Sequence, residues 1–208
     1  MEEKLSVFSQ NDYEITKREV LYKGVFRLVR YYIRHLKFNG QWNEVFSREV
    51  LERKSAAAIL PYDPILDRVI LIEQFRPGAI ANPQSPWLIE VVAGVYSEDE
   101  TPPNVAKREA AEEAGCKILD IYPICEYFVS PGGSNEYLHL YCGRVDASEA
   151  GGIHGLEEEN EDIRAITMPT DEAFQMMQEG KIKTSPAIIS LQWLQLNREW
   201  LRQLWQTK

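Results

Sequence analysis

Residues 101–116, Thr-Pro-Pro-Asn-Val-Ala-Lys-Arg-Glu-Ala-Ala-Glu-Glu-Ala-Gly-Cys, constrain the fold more than any other stretch. Thr101 is placed to cap a helix, Pro102 suits a first helical position, and Gly115 stands where a left-handed residue ends one. Together they predict a helix over Pro102–Ala114. Ala106, Ala110 and Ala114 form a stripe of small side chains that lets such a helix lie close on a sheet. Glu109, Glu112 and Glu113, at i, i+3 and i+4, share a different face. Like charges at these spacings cost an isolated helix about 0.2–0.5 kcal/mol per pair, so a helix under no other demand would interleave lysines. Three clustered hard oxygen donors are what Mg²⁺ or Mn²⁺ takes, and the plain alternative is a solvated acidic face.

Strand patterns surround this helix. Tyr13–Tyr22 and Phe26–Phe38 alternate partly and are rich in β-branched and aromatic residues, and Asn39-Gly40 reads as a turn into a strand near Glu44–Leu51. Further strands are expected at Ser55–Leu60, Arg68–Phe75 and Trp87–Val92 before the helix, and at Ile121–Ser130, Glu136–Val145 and Ile163–Thr167 after it. Asp63-Pro64 and Asp67 mark a turn. Thr170 is expected to cap a helix over Asp171–Glu179. Ser185-Pro186 opens a long one with Ile188, Leu191, Leu194 and Leu201 on its apolar face. The class expected is α/β, a mixed sheet packed between helices. Residues 1–53 read as an N-terminal antiparallel β extension and residues 54–208 as the main domain.

The composition narrows the function classes. A balance of 23 Lys+Arg against 32 Asp+Glu gives a net charge of -9, which argues against a nucleic-acid binder that neutralises phosphates with basic side chains. A divalent cation between two anions would still admit a phosphate-bearing substrate. No apolar run approaches the ~18 residues of a membrane span, and Met1-Glu2-Glu3-Lys4 is not the start of a signal peptide. Cys116, Cys125 and Cys142 include no C-x-x-C pair, which fits a reducing, cytoplasmic setting.

Gly94 to Cys116 matches G-x5-E-x7-R-E-U-x-E-E-x-G-U at every fixed position, U being apolar and filled here by Ala110 and Cys116. This resembles the signature of the Nudix hydrolases, which implies an α/β/α sandwich and metal-dependent hydrolysis of a nucleoside diphosphate linked to another group. The resemblance makes Glu109, Glu112 and Glu113 metal ligands, joined by the backbone carbonyl of Ala93. Gly94, Glu100, Arg108 and Gly115 become structural positions, with Arg108 paired to Glu100.

Residues outside the signature resemble bacterial members of the family that cleave ADP-ribose: Gln74-Phe75-Arg76-Pro77, Trp87 to Gly94, Ser130 to Glu136, and the acidic stretch Gly152 to Arg164. The activity so implied is hydrolysis of ADP-ribose to AMP and ribose 5-phosphate with roughly two or three Mg²⁺ ions, for which Mn²⁺ may substitute. Taken as a plain sequence, the acidic stretch reads as a flexible solvated loop. By resemblance it closes on the substrate, with Glu159 as general base or orienter of the attacking water and Glu161 near the metals; the two roles could be exchanged. Arg48 and Arg76 match arginines that contact phosphates or the terminal ribose, against a surface ion pair as the plain reading. Glu49 and Glu136 are further polar candidates. Val25 stands where an aromatic is expected to stack on adenine, which leaves Phe26 beside it, or Tyr22. The resemblance also implies a homodimer that exchanges its N-terminal strands. Two other readings stay open: a relative preferring a different nucleoside diphosphate sugar such as GDP-mannose, and a non-catalytic nucleotide-sensing module. His35, His139 and His154 are assigned structural roles, Cys116 a buried one, and Trp193, Trp200 and Trp205 a place in core or interface.

Overall fold

The computed structural model describes residues 8–96 and 99–206; the side chains of Glu159 and Gln206 are outside that description. Two compact units make up the chain: the stretch up to Arg53 together with Phe128–Glu136, and Lys54–Tyr127 together with the remainder from Tyr137.

The first unit is a three-stranded antiparallel sheet, β1 (Tyr13–Lys23), β2 (Arg27–His35) and β3 (Phe46–Glu52), in that order. Cross-strand ion pairs hold it, Arg34 to Glu14 and Arg18 to Glu52 each at 2.7 Å. Gly40, at φ 79°, makes the turn toward β3 in a conformation that favours glycine. Little covers β1: Tyr13, Ile15, Val20, Leu21 and Tyr22 are all exposed.

The second unit carries β4 (Ala56–Asp63), β5 (Arg68–Phe75), β6 (Trp87–Glu90), β7 (Val92–Val95), α1 (Pro102–Ala114), β8 (Asp120–Phe128), β9 (Tyr137–Arg144), β10 (Gly152–His154), β11 (Ile163–Pro169), α2 (Thr170–Gln178) and α3 (Ser185–Gln206). Its sheet runs β10-β11-β5-β4-β9-β8, with β6 on β5 and β7 on β4. β4 is parallel to β9 and antiparallel to β5 and β7, so the sheet is mixed, as expected. Strand alternation sorts the core into two layers. Ala57, Ile59, Ile70 and Ile72 meet Val105, Ala106 and Ala110 of α1. Ala58, Leu60, Tyr62 and Leu71 meet Ala173 of α2 and Leu191, Leu194 and Leu201 of α3.

Three local expectations need correction. The single strand expected over Trp87–Val92 breaks at buried Val91: β6 pairs with β5, and β7 crosses to β4. A continuous apolar run is compatible with either arrangement, and tertiary pairing decides. Thr170 is the first residue of α2 and not its cap; its hydroxyl donates to the Asp67 carbonyl at 2.9 Å. Thr101 does stand at the cap position of α1, but its side chain makes no capping hydrogen bond.

Asp67 is left-handed at φ 56° in the β4–β5 turn. Its carboxylate accepts from the Tyr62 hydroxyl at 2.9 Å and from Arg198 Nε at 3.0 Å, with Arg202 at 3.6 Å. Burial acts to raise its pKa, but the Arg198 and Tyr62 hydrogen bonds and the two arginine charges prevail, and the carboxyl is held below its usual range. The carboxylate therefore ties α3 to the sheet. Asp67→Asn tolerates the same backbone and should cost about 1–3 kcal/mol at neutral pH in urea unfolding. This contribution is complete above the unfolded pKa near 3.8 and is lost as pH falls through the lower folded value. A deficit that persists unchanged in acid would contradict the ion-pair account.

Candidate active site

The alanine stripe sets the geometry. Ala106, Ala110 and Ala114 are fully buried, so α1 lies close against the sheet and its acidic side faces the start of β7. Gly115 ends the helix at φ 61°. At Gly94 the helix carboxylate comes close: a Cβ there would lie 1.8 Å from Glu109 Oε1, so any larger residue would displace the Glu109 side chain.

Glu113 is buried, and its Oε2 accepts the Ala93 N–H at 3.1 Å. Burial pushes its carboxyl up to about 8; the Ala93 hydrogen bond and the charge of Arg76 oppose this, while the charges of Glu109 and Glu161 add to it. Glu109 is also raised, first by burial, with Arg108 opposing and Glu112 and Glu161 reinforcing. Arg108 pairs with Glu100 at 3.4 Å as expected, and more closely with Glu112 at 2.8 Å and Glu109 at 2.9 Å. It therefore spans the acidic face and does not merely anchor the preceding loop.

The acidic loop is rooted on the same helix. The Gly155 N–H donates to the Glu112 carbonyl at 3.2 Å, and the His154 ring fills the space beside Gly115, where a Cβ would come within 2.4 Å of Cε1. Gly155 is at φ 102° and lies against Glu161, whose carboxylate accepts the Leu156 N–H at 3.2 Å. Glu161 thus joins Glu109 and Glu113 in one electrostatic cluster. Glu159 ends a short 3-10 turn, Glu157–Glu159, and its side chain lies outside the described residues.

These residues fit a divalent cation on chemical grounds. The donors are hard oxygens, one carboxylate is buried, and burial, with neighbouring like charges adding to it, raises the pKa values of Glu109 and Glu113, a cost that a cation would relieve. Among the described residues no three His, Cys, Asp or Glu side chains already converge as a cage; Glu109 and Glu112 are turned to Arg108 and Glu113 to the Ala93 amide.

Arg76 donates to Glu90 at 2.7 Å, and Gln74 reaches the same Glu90 oxygen at 3.3 Å. Glu90 was not among the expected site residues. The available signal was a carboxylate inside an otherwise apolar run. In the first unit, Glu49 pairs with Arg30 at 2.6 Å and Glu136 with Arg53 at 2.8 Å. Phe26 is exposed, with the Arg53 guanidinium 4.9 Å from its ring centre. Arg48 bonds its neighbour's carbonyl at Ser47 and lies over Phe46; among the described residues it has no carboxylate partner, so the surface ion pair considered for it is not formed. Cys116 is buried, with burial pushing its thiol up to about 12, and is no nucleophile. Trp205 is core, while Trp193 and Trp200 pack on Tyr122.

The NUDIX domain family model matches residues 52–188, more than half of the chain. The chain belongs to the Nudix family. Among the relatives of this Nudix hydrolase, the ADP-ribose pyrophosphatase of Escherichia coli K12 is 46% identical over 198 residues, 95% of each chain. That of Haemophilus influenzae is 46% identical over 95% of this chain and 93% of its own length. The GDP-mannose pyrophosphatase of Cronobacter sakazakii is 36% identical over 72% of this chain and 78% of its own. A crystal structure of an ADP compounds hydrolase superimposes with a TM-score of 0.68, covering 96% of this chain and 99% of its own at 18% identity, a likeness of fold.

Proposed function

We propose that this Nudix hydrolase cleaves the diphosphate of ADP-ribose to AMP and ribose 5-phosphate, with Mg²⁺ as its natural cofactor. The observation that carries this reading is the placement of Glu109 against Gly94 and of buried Glu113 on the Ala93 amide, with Glu161 acting electrostatically on both, in a chain that matches ADP-ribose pyrophosphatases over nearly its full length. Glu109, Glu112, Glu113, Glu161 and the Ala93 carbonyl would hold the ions. A divalent cation bound there supplies Lewis-acid polarisation of the phosphates and a more acidic attacking water. Glu113 must give up its proton to act as a ligand, and Arg108 keeps Glu109 and Glu112 oriented. Arg76 exchanges its Glu90 contact for a substrate phosphate oxygen. Glu159 takes the proton of the attacking water on a carboxylate oxygen, and the loop rooted at His154 and Gly155 carries it to that position. Recognition of the ribose and adenine by Arg48, Glu49, Glu136 and Phe26 rests on family resemblance.

A substrate panel tests the choice. With Mg²⁺, kcat/KM for ADP-ribose should exceed that for GDP-mannose at least about tenfold, a difference of about 1.4 kcal/mol in transition-state binding. The reverse order would favour the second reading, which the GDP-mannose pyrophosphatase relatives support. No turnover of either would favour a sensing module.

We further infer a homodimer built through the N-terminal strands, in a cytoplasmic enzyme. The reading is supported by the apolar residues Tyr13, Ile15, Val20, Leu21 and Tyr22 that β1 leaves exposed, a surface a second copy would cover. Light scattering should give twice the 24.0 kDa of one chain, and a monomer at micromolar concentration would refute it.

A further inference from the structure

At the end of the sheet where β4 and β9 finish lies a cavity of about 330 Å³ whose walls include Pro64, Leu119, Val145 and Trp205. The catalytic candidates stand elsewhere: Gly94 pairs with Ala57 at the beginning of β4, whereas the cavity adjoins residues 63–66 just beyond its other end. Ile65 and Leu66, which also line it, are exposed, and Leu119 is half exposed. This is a small apolar recess at the lower end of the range for small-molecule sites.

Arg144, the last residue of β9, is the one basic residue among the described residues that line it. The guanidinium is partly buried; among the described residues its buried Nε has no hydrogen-bond partner, and the side chain makes a single bond, a long one from Nη1 to the Trp205 carbonyl at 3.4 Å. Among the described residues no carboxylate pairs with it, although both Asp63 and Asp146 line the same cavity. Their oxygens are engaged elsewhere: Asp63 accepts the Ile65, Leu66 and Ala147 amides, and Asp146 accepts the Ser148 amide. An arginine presents five donors, and a half-desolvated one with a single weak bond is under-satisfied. A carboxylate can take two of the remaining N–H groups in parallel, the geometry a guanidinium matches best. With Asp63 and Asp146 the lining is net negative, so it opposes a dianion more strongly than a monoanion, and the pairing with Arg144 is what favours an anion at all.

We propose that this cavity is a second ligand site, for a small monoanion made of a carboxylate on an aromatic or branched aliphatic body. The carboxylate pairs with Arg144, and the apolar body lies among Pro64, Leu119, Val145 and Trp205. No covalent change is involved, and the site is independent of the diphosphate chemistry.

The test is a titration of the full chain with 3-phenylpropionate, its neutral amide and phenyl phosphate, followed by backbone amide NMR shifts. The carboxylate should saturate at least about tenfold below the amide and below the dianion, with shifts confined to residues 63–66, 119 and 144–148. Arg144→Met should bring the carboxylate to the amide's affinity and leave the amide and ADP-ribose hydrolysis unchanged. Leu119→Glu, at a half-exposed rim position that a fold tolerates, should weaken the carboxylate alone. Equal binding of acid and amide would overturn the proposal. So would a carboxylate indifferent to both substitutions, shifts centred on α1, or no saturable binding at millimolar ligand.

Discussion

Glu113→Gln should lower ADP-ribose turnover by about 10²–10³-fold or more while the chain stays folded. The amide keeps an oxygen that can accept the Ala93 N–H, so the local hydrogen bond survives; what is lost is the charge a cation requires. Stability should move the other way. The Glu113 carboxyl ionises near 4.5 when unfolded and near 8 in the fold, so between those values the folded chain holds more protons and wild-type stability declines as pH rises. In chelator, Glu113→Gln escapes that decline. Its advantage in unfolding free energy should grow from pH 5 to pH 8 to the order of a few kcal/mol. Added Mg²⁺ should stabilise the wild type and leave the variant nearly unchanged. A variant that retains near wild-type turnover, or that is less stable than wild type at pH 8 in chelator, would contradict the role given to this residue.

Glu159→Gln should reduce kcat by about 10²–10⁴-fold, the usual contribution of a positioned general base, with KM altered only a few-fold. The split matters because the alternative assignment lies two residues away. Glu161 belongs to the electrostatic cluster with Glu109 and Glu113, so its replacement should weaken the apparent Mg²⁺ affinity as well as turnover. Should Glu159→Gln retain turnover while Glu161→Gln loses kcat at saturating Mg²⁺, the proton acceptor is Glu161.

The sequence disclosed the parts of this molecule that are locally determined. The extent of α1 follows from a proline at one end and a glycine at the other, and its two faces follow from a spacing of three and four residues. The mixed sheet was legible from strand patterns before and after that helix. The break at Val91 was not, because the run is apolar on both sides of it apart from Glu90, and only the partners of its halves, β5 and β4, separate them. Nor was the root of the acidic loop. The contact of His154 with Gly115 joins residues far apart in sequence, and β10 is a strand of three residues bounded by positive-φ glycines, too short for periodicity to register. Arg108 is an intermediate case: its pairing with Glu100 was expected, while its closer contacts with Glu109 and Glu112 follow from side-chain directions on the folded helix.

The resemblance supplied what pattern could not, namely the proposed substrate and the proposed division of labour among the glutamates. The acidic balance of the chain acquires a physical meaning with it. Part of the net charge of -9 is gathered at α1 and in the loop before β11, where burial first and like charges second raise the pKa values of Glu109 and Glu113. Such a concentration is costly in isolation and useful only where a cation neutralises it.

In the proposed function this cluster holds the metal on which the diphosphate lies. Anomalous diffraction from crystals grown with Mn²⁺ and a non-hydrolysable ADP-ribose analogue tests it most directly. Manganese peaks are expected within ~2.0–2.3 Å of oxygens from Glu109, Glu113 and the Ala93 carbonyl, with the diphosphate bound to the same ions. Manganese absent from these glutamates, or a diphosphate bound away from α1, would contradict it.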